Sequence, residues 1–151
     1  MTGPFFVDTN ILVYARDESE SQKQPQARQW LEFLWKTHQG RISTQVLQEY
    51  YQVVTRRLRP GLQRDIARED IRDLMSWRPI AVGRQVVEEA WALEDRFQLS
   101  WWDALIVGAA RQLRCRYSQI RAPAYHATRA ALSRYGTRAT VRRIRQHQPL
   151  S

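Results

Sequence analysis

The stretch FFVDTNILVY, residues 5–14, decides the fold of this chain. It begins as an apolar run typical of a buried strand and then turns polar at Asp8, Thr9 and Asn10. Burying a carboxylate by itself costs several kcal/mol, so Asp8 must be solvated, paired or bound to a cation. The stretch therefore predicts a strand over residues 4–8 that ends where Asp8 meets a partner.

Short apolar segments and amphipathic helices alternate along the rest of the chain. Helices are predicted to start in ILVYARD and to cover residues 25–38, 44–58, 68–76, 84–97 and 100–113, with short segments at residues 41–43 and 79–82 between them. Gly40 is predicted to end the second helix. This alternation predicts a parallel sheet covered by helices on both faces.

Length, composition and cysteine content limit the class of protein. The chain has 151 residues, 43% of them apolar, which fits one globular domain with a real core. No apolar run approaches the roughly 20 residues that span a bilayer, and the N-terminus lacks a signal-peptide pattern, so we expect a soluble cytoplasmic protein without membrane association. Cys115 is the single cysteine, so it cannot form an internal disulfide, and we expect it to be a small apolar core residue.

The positive charge is concentrated in the last third of the chain. The whole chain carries 24 Lys and Arg against 15 Asp and Glu, a net charge of +9. Residues 1–103 hold all 15 acids and have a net charge of −1, whereas residues 104–151 hold ten Arg and no acid. This last segment is either a solvated basic tail or an RNA-facing surface, and composition leaves both interpretations open.

Three carboxylates, Asp8, Glu49 and Asp103, lie near predicted strand ends or helix starts. Ligands of parallel sheets bind at the carboxyl ends of the strands, which is where Asp8 stands. Converging carboxylates repel one another unless a hard divalent cation neutralises them, and Mg²⁺ or Mn²⁺ prefers such oxygen ligands. A site of this kind lowers the pKa of bound water and stabilises a phosphoryl transition state, which suits hydrolysis of a phosphodiester.

Each carboxylate also has a purely structural explanation. Asp8 is a suitable N-cap for a helix that starts near Asn10. Glu49 is equally suited to an exposed helix position. Ser100 with Asp103 three residues later resembles a capping box, with Asp in place of the usual Glu or Gln. Spacing alone does not choose between these explanations and a metal site.

Three blocks of sequence resemble the PIN domain, and specifically the VapC-type toxins of bacterial toxin–antitoxin pairs. They are VDTNILVYARD, ISTQVLQEYYQVVTRR and LSWWDALIVGAARQLRCRY, in the family's order between about Phe5 and Tyr117. The resemblance implies a three-layer α/β/α sandwich around a short parallel sheet. It also implies a Mg²⁺-dependent endoribonuclease, with Mn²⁺ as the alternative metal, that cleaves RNA, is inhibited by a cognate antitoxin protein and forms a homodimer.

Residue by residue, the resemblance implies that Asp8, Glu49 and Asp103 are the catalytic carboxylates and the metal ligands. Thr9 and Asn10 complete the DTN signature, and we expect them to support the site through hydrogen bonds.

Two tryptophans, Trp101 and Trp102, are neighbours in the last of these blocks. Adjacent positions on a helix point in different directions, so we expect one in the core and the other facing outward. Neither is assigned a binding role.

The sequence departs from the family after Tyr117, which leaves the last strands of the sheet in doubt. Members usually continue with an apolar strand ending in one or two acids, but here no acid stands near Arg121 and Ala122 or anywhere beyond. We therefore divide the chain into a PIN-like nuclease domain, residues 1–117, and an atypical basic C-terminal segment, residues 118–151. A reading-frame shift near Tyr117 would explain the change, and an RNA-binding extension is the alternative. Without a fourth acid, a catalytically impaired protein that binds antitoxin or RNA without cleaving also stays open.

Overall fold

A computed structural model describes residues 4–117 of the chain. The elements in chain order are β1 (Phe5–Phe6), α1 (Thr9–Arg16), α2 (Lys23–Thr37), β2 (Gly40–Arg41), α3 (Thr44–Arg56), α4 (Arg64–Leu74), a 3₁₀ turn (Met75–Trp77), α5 (Arg84–Phe97), α6 (Trp101–Gln112) and β3 (Arg116–Tyr117). The three strands form one parallel sheet in the order β2-β1-β3. The predicted α/β class, with helices around a short parallel sheet, is confirmed.

Strand β1 lies at the centre of the sheet because it pairs on both sides. Phe5 and Phe6 pair in parallel with β2 on one side and with β3 on the other. The N–H of Val7 donates to the carbonyl oxygen of Arg41 at 2.8 Å, so the extended chain continues beyond the strand to Asp8. Phe6 and Val7 are fully buried, as expected for a central strand of a parallel sheet.

Strand β3 lies at the point where the sequence departs from the family. It pairs with β1 through Arg116 and Tyr117, just before the residues in which the last strands are in doubt. The missing acid at the end of the strand, the shifted reading frame and the basic segment are all predictions about residues 118–151. Those predictions lie outside the described residues.

Helix α3 buries one apolar face, as expected for an amphipathic helix. The buried residues of this face are Val46, Leu47, Tyr50, Val53 and Val54. Helix α1 packs on α2 and α3, helix α3 packs on α4, and α5 packs on α6. Gly108 permits a close approach of α6 to α5, since a Cβ there would lie 3.1 Å from the carbonyl oxygen of Val86. Between residues 4 and 117, none of the helices combines the length and apolar character needed to cross a bilayer.

Gly40 does not end helix α2, so that prediction is wrong. The helix ends at Thr37, and His38 takes the left-handed conformation at the C-cap, with φ of 55°. Gly40 lies in β2 instead, where a Cβ would come within 2.5 Å of the indole of Trp77. The glycine is therefore required by packing against a buried ring and not by helix termination.

The neighbours Trp101 and Trp102 point in different directions, as predicted. Trp101 packs against the hydrophobic core, whereas the Trp102 side chain is 46% exposed. Cys115 is partly buried against the core, in agreement with its expected apolar role. Burial raises the pKa of the Cys115 thiol to about 11.

Candidate active site

Asp8 stands between the central strand and the first helix. Its backbone is extended (φ −77°, ψ 152°), and α1 begins at the next residue, Thr9. The side chain is 8% exposed and makes no capping hydrogen bond to α1. Asp8 therefore holds the N-cap position without capping the helix through its carboxylate, which weakens the purely structural explanation for this residue.

Two serine caps position the other predicted carboxylates. The hydroxyl of Ser43 accepts from the N–H of Val46 at the start of α3, which carries Glu49 one turn further on. The hydroxyl of Ser100 accepts from the N–H of Asp103 at 3.2 Å at the start of α6. This second bond is one half of the capping box considered for Ser100. The Asp103 side chain is only 4% exposed, so it lies inside the fold in the first turn of α6.

Glu49 is held by hydrogen bonds from two side chains, and it is not a simple solvent-facing residue. The hydroxyl of Thr9 donates to Oε2 of Glu49 at 2.9 Å, which links α1 to α3. Nε2 of Gln45 donates to Oε1 of Glu49 at 2.8 Å and also reaches the carbonyl oxygen of Trp102 at 3.4 Å, which links α3 to α6. Hydrogen bonds to a carboxylate are about twice as strong as neutral ones, so Glu49 has a defined orientation.

All five predicted site residues line one cleft, of about 250 Å³. The predicted residues on the cleft are Asp8, Thr9, Asn10, Glu49 and Asp103. The other residues that line it are Val13, Gln45, Gln48, Gln52, Val53, Arg57, Trp102 and Ile106. The fold thus brings together predicted site residues as far apart in the chain as Asp8 and Asp103.

The oxygen donors of the cleft suit a hard divalent cation. Asp8 and Asp103 are two buried carboxylates on one cavity, and carboxylate oxygens are ligands that hard divalent cations prefer. Mg²⁺ is commonly held by one or two carboxylates, with waters and substrate phosphate completing its shell. Within residues 4–117, no three acidic, His or Cys side chains lie close enough together to hold one ion. Asp8, Asp103 and Glu49 are the acids of the cleft, and Glu49 accepts hydrogen bonds from Thr9 and Gln45.

The sequence analysis missed the polar face of α3. Gln45, Gln48, Glu49 and Gln52 follow the i, i+3, i+4, i+7 spacing of one helical face, opposite the apolar face that identified the helix. Such a run of amides around a candidate carboxylate was a usable signal. Arg57 and the exposed Trp102 carried no comparable signal, since their positions on the cleft depend on the tertiary structure.

A second ionisable cluster lies away from the cleft and joins three helices. Asp70 on α4 accepts hydrogen bonds from the guanidinium of Arg16 and from the hydroxyl of Tyr50. Burial, followed by the bond to Asp70, raises the pKa of Tyr50 above its ordinary value. The hydrogen bond to Asp70 likewise raises the pKa of Arg16. This cluster joins α1, α3 and α4 through hydrogen bonds.

Comparison with known proteins identifies one family. The family model described as PIN domain matches residues 5–117, which is most of the chain and coincides with the described fold from β1 to β3. No curated protein matches the chain. The match includes every residue that lines the cleft.

Proposed function

Since this chain belongs to the PIN-domain family, whose members are generally metal-dependent nucleases, we propose that it is a Mg²⁺-dependent endoribonuclease acting at the cleft of Asp8, Glu49 and Asp103. One observation carries the proposal most strongly. Two buried carboxylates from separate elements, Asp8 and Asp103, line the same cavity together with a hydrogen-bonded third, Glu49. Carboxylate oxygens are the ligands that Mg²⁺ prefers, so this arrangement supports a metal-dependent reaction at the cleft.

Asp8 and Asp103 are the residues that would hold the cation, Mg²⁺ or Mn²⁺. A divalent cation supplies charge stabilisation at a phosphodiester that is being hydrolysed. Asp8 contributes its carboxylate from the end of the central strand, and Asp103 from the first turn of α6. Asp8 directly precedes α1 and Asp103 lies in the serine-capped first turn of α6, so both carboxylates are placed before substrate arrives.

Glu49 is assigned to orienting the attacking water. A carboxylate offers about four lone-pair directions, and the hydrogen bonds from Thr9 and Gln45 take one on each oxygen. The remaining directions allow Glu49 to accept a hydrogen bond from a water in the cleft and to take its proton. Thr9 and Gln45 act here by holding the carboxylate in position, and Asn10 lines the cleft beside them.

A specific observation favours a second candidate, a catalytically impaired PIN-like protein that binds antitoxin or RNA without cleaving. In the described part of the chain, the three carboxylates do not form a cluster tight enough to hold one ion together. No acid occurs in residues 104–151 either. The activity measurement below separates the two candidates.

The cellular role we propose is that of the toxin in a type II toxin–antitoxin pair, acting as a cytoplasmic homodimer on RNA and inhibited by a cognate antitoxin. Its support is the resemblance of the DTN, STQVLQEYY and WWDAL blocks to VapC-type toxins. For residues 118–151 we retain two explanations, a shifted reading frame and a basic RNA-binding extension. Translating the gene in its other two frames beyond Tyr117 tests the first, which requires one frame to encode an apolar strand followed by an Asp.

The test of the proposed activity is RNA cleavage by the purified full chain, with Mg²⁺ and with a chelator. Asp8→Asn and Asp103→Asn are the informative variants, since each replaces a carboxylate by an amide of the same shape. Loss of a group that stabilises the transition state lowers the rate on the order of 100-fold or more. Asp95→Asn is the matched control, because Asp95 is an exposed acid on α5 that does not line the cleft.

Cleavage that requires Mg²⁺, Asp8 and Asp103, and is unaffected by Asp95→Asn, is the expected result. A folded protein with no metal-dependent cleavage would instead favour the impaired candidate. Cleavage that persists in the Asp8→Asn variant would reveal a contaminating ribonuclease and count against the assignment of this site.

A further inference from the structure

A chain of three hydrogen bonds, which we call the Gln45 bridge, crosses the cleft. The hydroxyl of Thr9 donates to Oε2 of Glu49, and Nε2 of Gln45 donates to Oε1 of the same carboxylate. The same nitrogen also reaches the carbonyl oxygen of Trp102 at 3.4 Å. The bridge therefore joins helices α1, α3 and α6, which all line the cleft.

The two ends of the Gln45 bridge lie next to the two buried carboxylates. Thr9 directly follows Asp8 in the chain, and Trp102 directly precedes Asp103. Asp8 and Asp103 are both buried and both line the cleft. Because one peptide bond joins each end of the bridge to a carboxylate residue, the bridge restrains the spacing between Asp8 and Asp103.

The amide of Gln45 has one orientation that makes these bonds. The two groups that Nε2 contacts, the Glu49 carboxylate and the Trp102 carbonyl, are acceptors, and only the NH₂ end of an amide donates. The Gln45 side chain is 4% exposed, so packing also holds it in place. A carboxylate at position 45 would repel both acceptors, and an apolar side chain would donate to neither. The bridge therefore depends on the amide.

A restrained spacing between two carboxylates favours one size of cation. Mg²⁺ binds oxygen at about 2.0–2.1 Å and requires near-ideal octahedral geometry, whereas Ca²⁺ binds at about 2.3–2.6 Å in flexible geometry. Hydrogen bonds that orient metal ligands typically change the affinity for the metal about 10- to 100-fold. Loss of the Gln45 bridge should therefore weaken binding of the smaller ion more than binding of Ca²⁺.

We propose that Gln45 positions the residues that hold the cation, so that the cleft selects Mg²⁺ or Mn²⁺ over Ca²⁺. Gln45 acts through Glu49 and through the first turn of α6, and it contacts neither the cation nor RNA. The inference rests on the proposed function, because it takes Asp8 and Asp103 as the residues that hold the metal.

The test measures cation binding by the full chain without RNA. Mn²⁺ binding is followed by the electron paramagnetic resonance signal of the free ion, and Ca²⁺ affinity by displacement of bound Mn²⁺. Gln45→Met keeps the length of the side chain but removes the donor, so Mn²⁺ affinity should fall at least about 10-fold. Ca²⁺ affinity should change less than about 3-fold, because Ca²⁺ tolerates flexible geometry. Gln85→Met is the matched control, because Gln85 is an exposed glutamine on α5 that does not line the cleft.

A second variant breaks the other end of the Gln45 bridge. Thr9→Val removes the hydroxyl that donates to Glu49 and keeps a side chain of similar shape. It should show the same selective loss of Mn²⁺ affinity. Circular dichroism shows whether each variant is folded, and Thr9→Val decides the question if Gln45→Met is not.

The expected result is a loss of Mn²⁺ affinity that exceeds the loss of Ca²⁺ affinity in both variants, with Gln85→Met unchanged. Parental Mn²⁺ affinity in either folded variant would overturn the proposal, as would equal losses for the two ions.

Asp8→Asn and Asp103→Asn distinguish this inference from the proposed function. If Mn²⁺ binding does not depend on Asp8 and Asp103, the proposed metal site fails and the role of Gln45 fails with it. If Mn²⁺ binding depends on both carboxylates but not on Gln45, this inference alone fails and the nuclease proposal stands.

Discussion

Gln45 donates a hydrogen bond of 2.8 Å to Glu49 one turn further along helix α3, and the same amide nitrogen reaches the backbone of α6 at Trp102. Gln45 is 4% exposed, and its Oε1 is buried without a hydrogen-bond partner in the described part of the chain. A buried amide with an unsatisfied oxygen lowers stability, so its retention at this point suggests a role in orienting Glu49.

Gln45→Leu is therefore expected to separate activity from stability. The variant loses the bond that orients Glu49, which is worth about 1.5–3 kcal/mol for a charged partner, so kcat should fall at least about 10-fold. Its midpoint of urea unfolding should change little, because the unsatisfied Oε1 is removed along with the bond to Glu49. Gln85→Ala, at an exposed position on α5, serves as the control. A variant with parental kcat would show that Gln45 does not position Glu49.

Gly40→Ala is expected to destabilise the fold. The added Cβ would lie 2.5 Å from the indole of Trp77, and overpacking of this kind costs about 1–3 kcal/mol of unfolding free energy. Combining it with Trp77→Leu should cost less than the sum of the two single changes, because the smaller side chain leaves space for the methyl group. Gly83→Ala is the control, since nothing lies within 4 Å of a Cβ there. Strictly additive free energies in urea denaturation would contradict the proposed contact.

Asp70→Asn is expected to loosen the packing of α1, α3 and α4 on one another. The change removes the charge that pairs with Arg16 and weakens the bond from Tyr50, leaving a partly buried guanidinium without its counter-ion. Because the Arg16 side chain is 38% exposed, solvent screens part of this loss, and about 1–2 kcal/mol of unfolding free energy is expected. Glu32→Gln breaks the exposed pair with Lys36 and should leave the urea midpoint unchanged. Equal effects of the two variants would contradict a structural role for the Asp70 cluster.

Cys115 should react slowly with alkylating reagents in the folded protein. The thiolate is the reactive species, and burial raises the pKa of the thiol from an ordinary value of 9.0 to about 11. At pH 8 the thiolate fraction is then about 100-fold lower in the folded than in the unfolded chain, and alkylation by iodoacetamide should be slower by about that factor. The rate of alkylation of the folded protein should keep rising with pH up to about 11, whereas the rate in urea should level off above about 9.

Since Cys115 is the single cysteine, mass spectrometry of the whole chain follows this reaction without interference. Equal rates with and without urea would contradict the burial of this thiol.

Much of the fold could be predicted from the sequence because helices and strands depend on the spacing of apolar residues along short segments. The apolar run before Asp8 predicted a buried strand over residues 4–8. The central strand β1 lies there, although it is shorter and covers Phe5–Phe6. Helix α5 was predicted with its observed bounds, since its apolar spacing is readable in sequence. The role of Gly40 was predicted wrongly because the sequence does not distinguish a glycine that ends a helix from one that leaves space for an indole ring.

Some features of the candidate site likewise follow from the sequence, and others only from the tertiary structure. The sequence by itself identified the candidate site residues: the strand-end Asp8, Glu49 within an amphipathic helix and Asp103 after a serine cap, together with their resemblance to a nuclease family. Only the tertiary structure decided that these residues share one cleft, that Thr9 and Gln45 hold Glu49, and that Trp102 stands exposed beside them while Trp101 is packed inward. The physical reason is that periodicity reports which face of an element is apolar, whereas hydrogen bonds between elements depend on how the helices pack around the sheet.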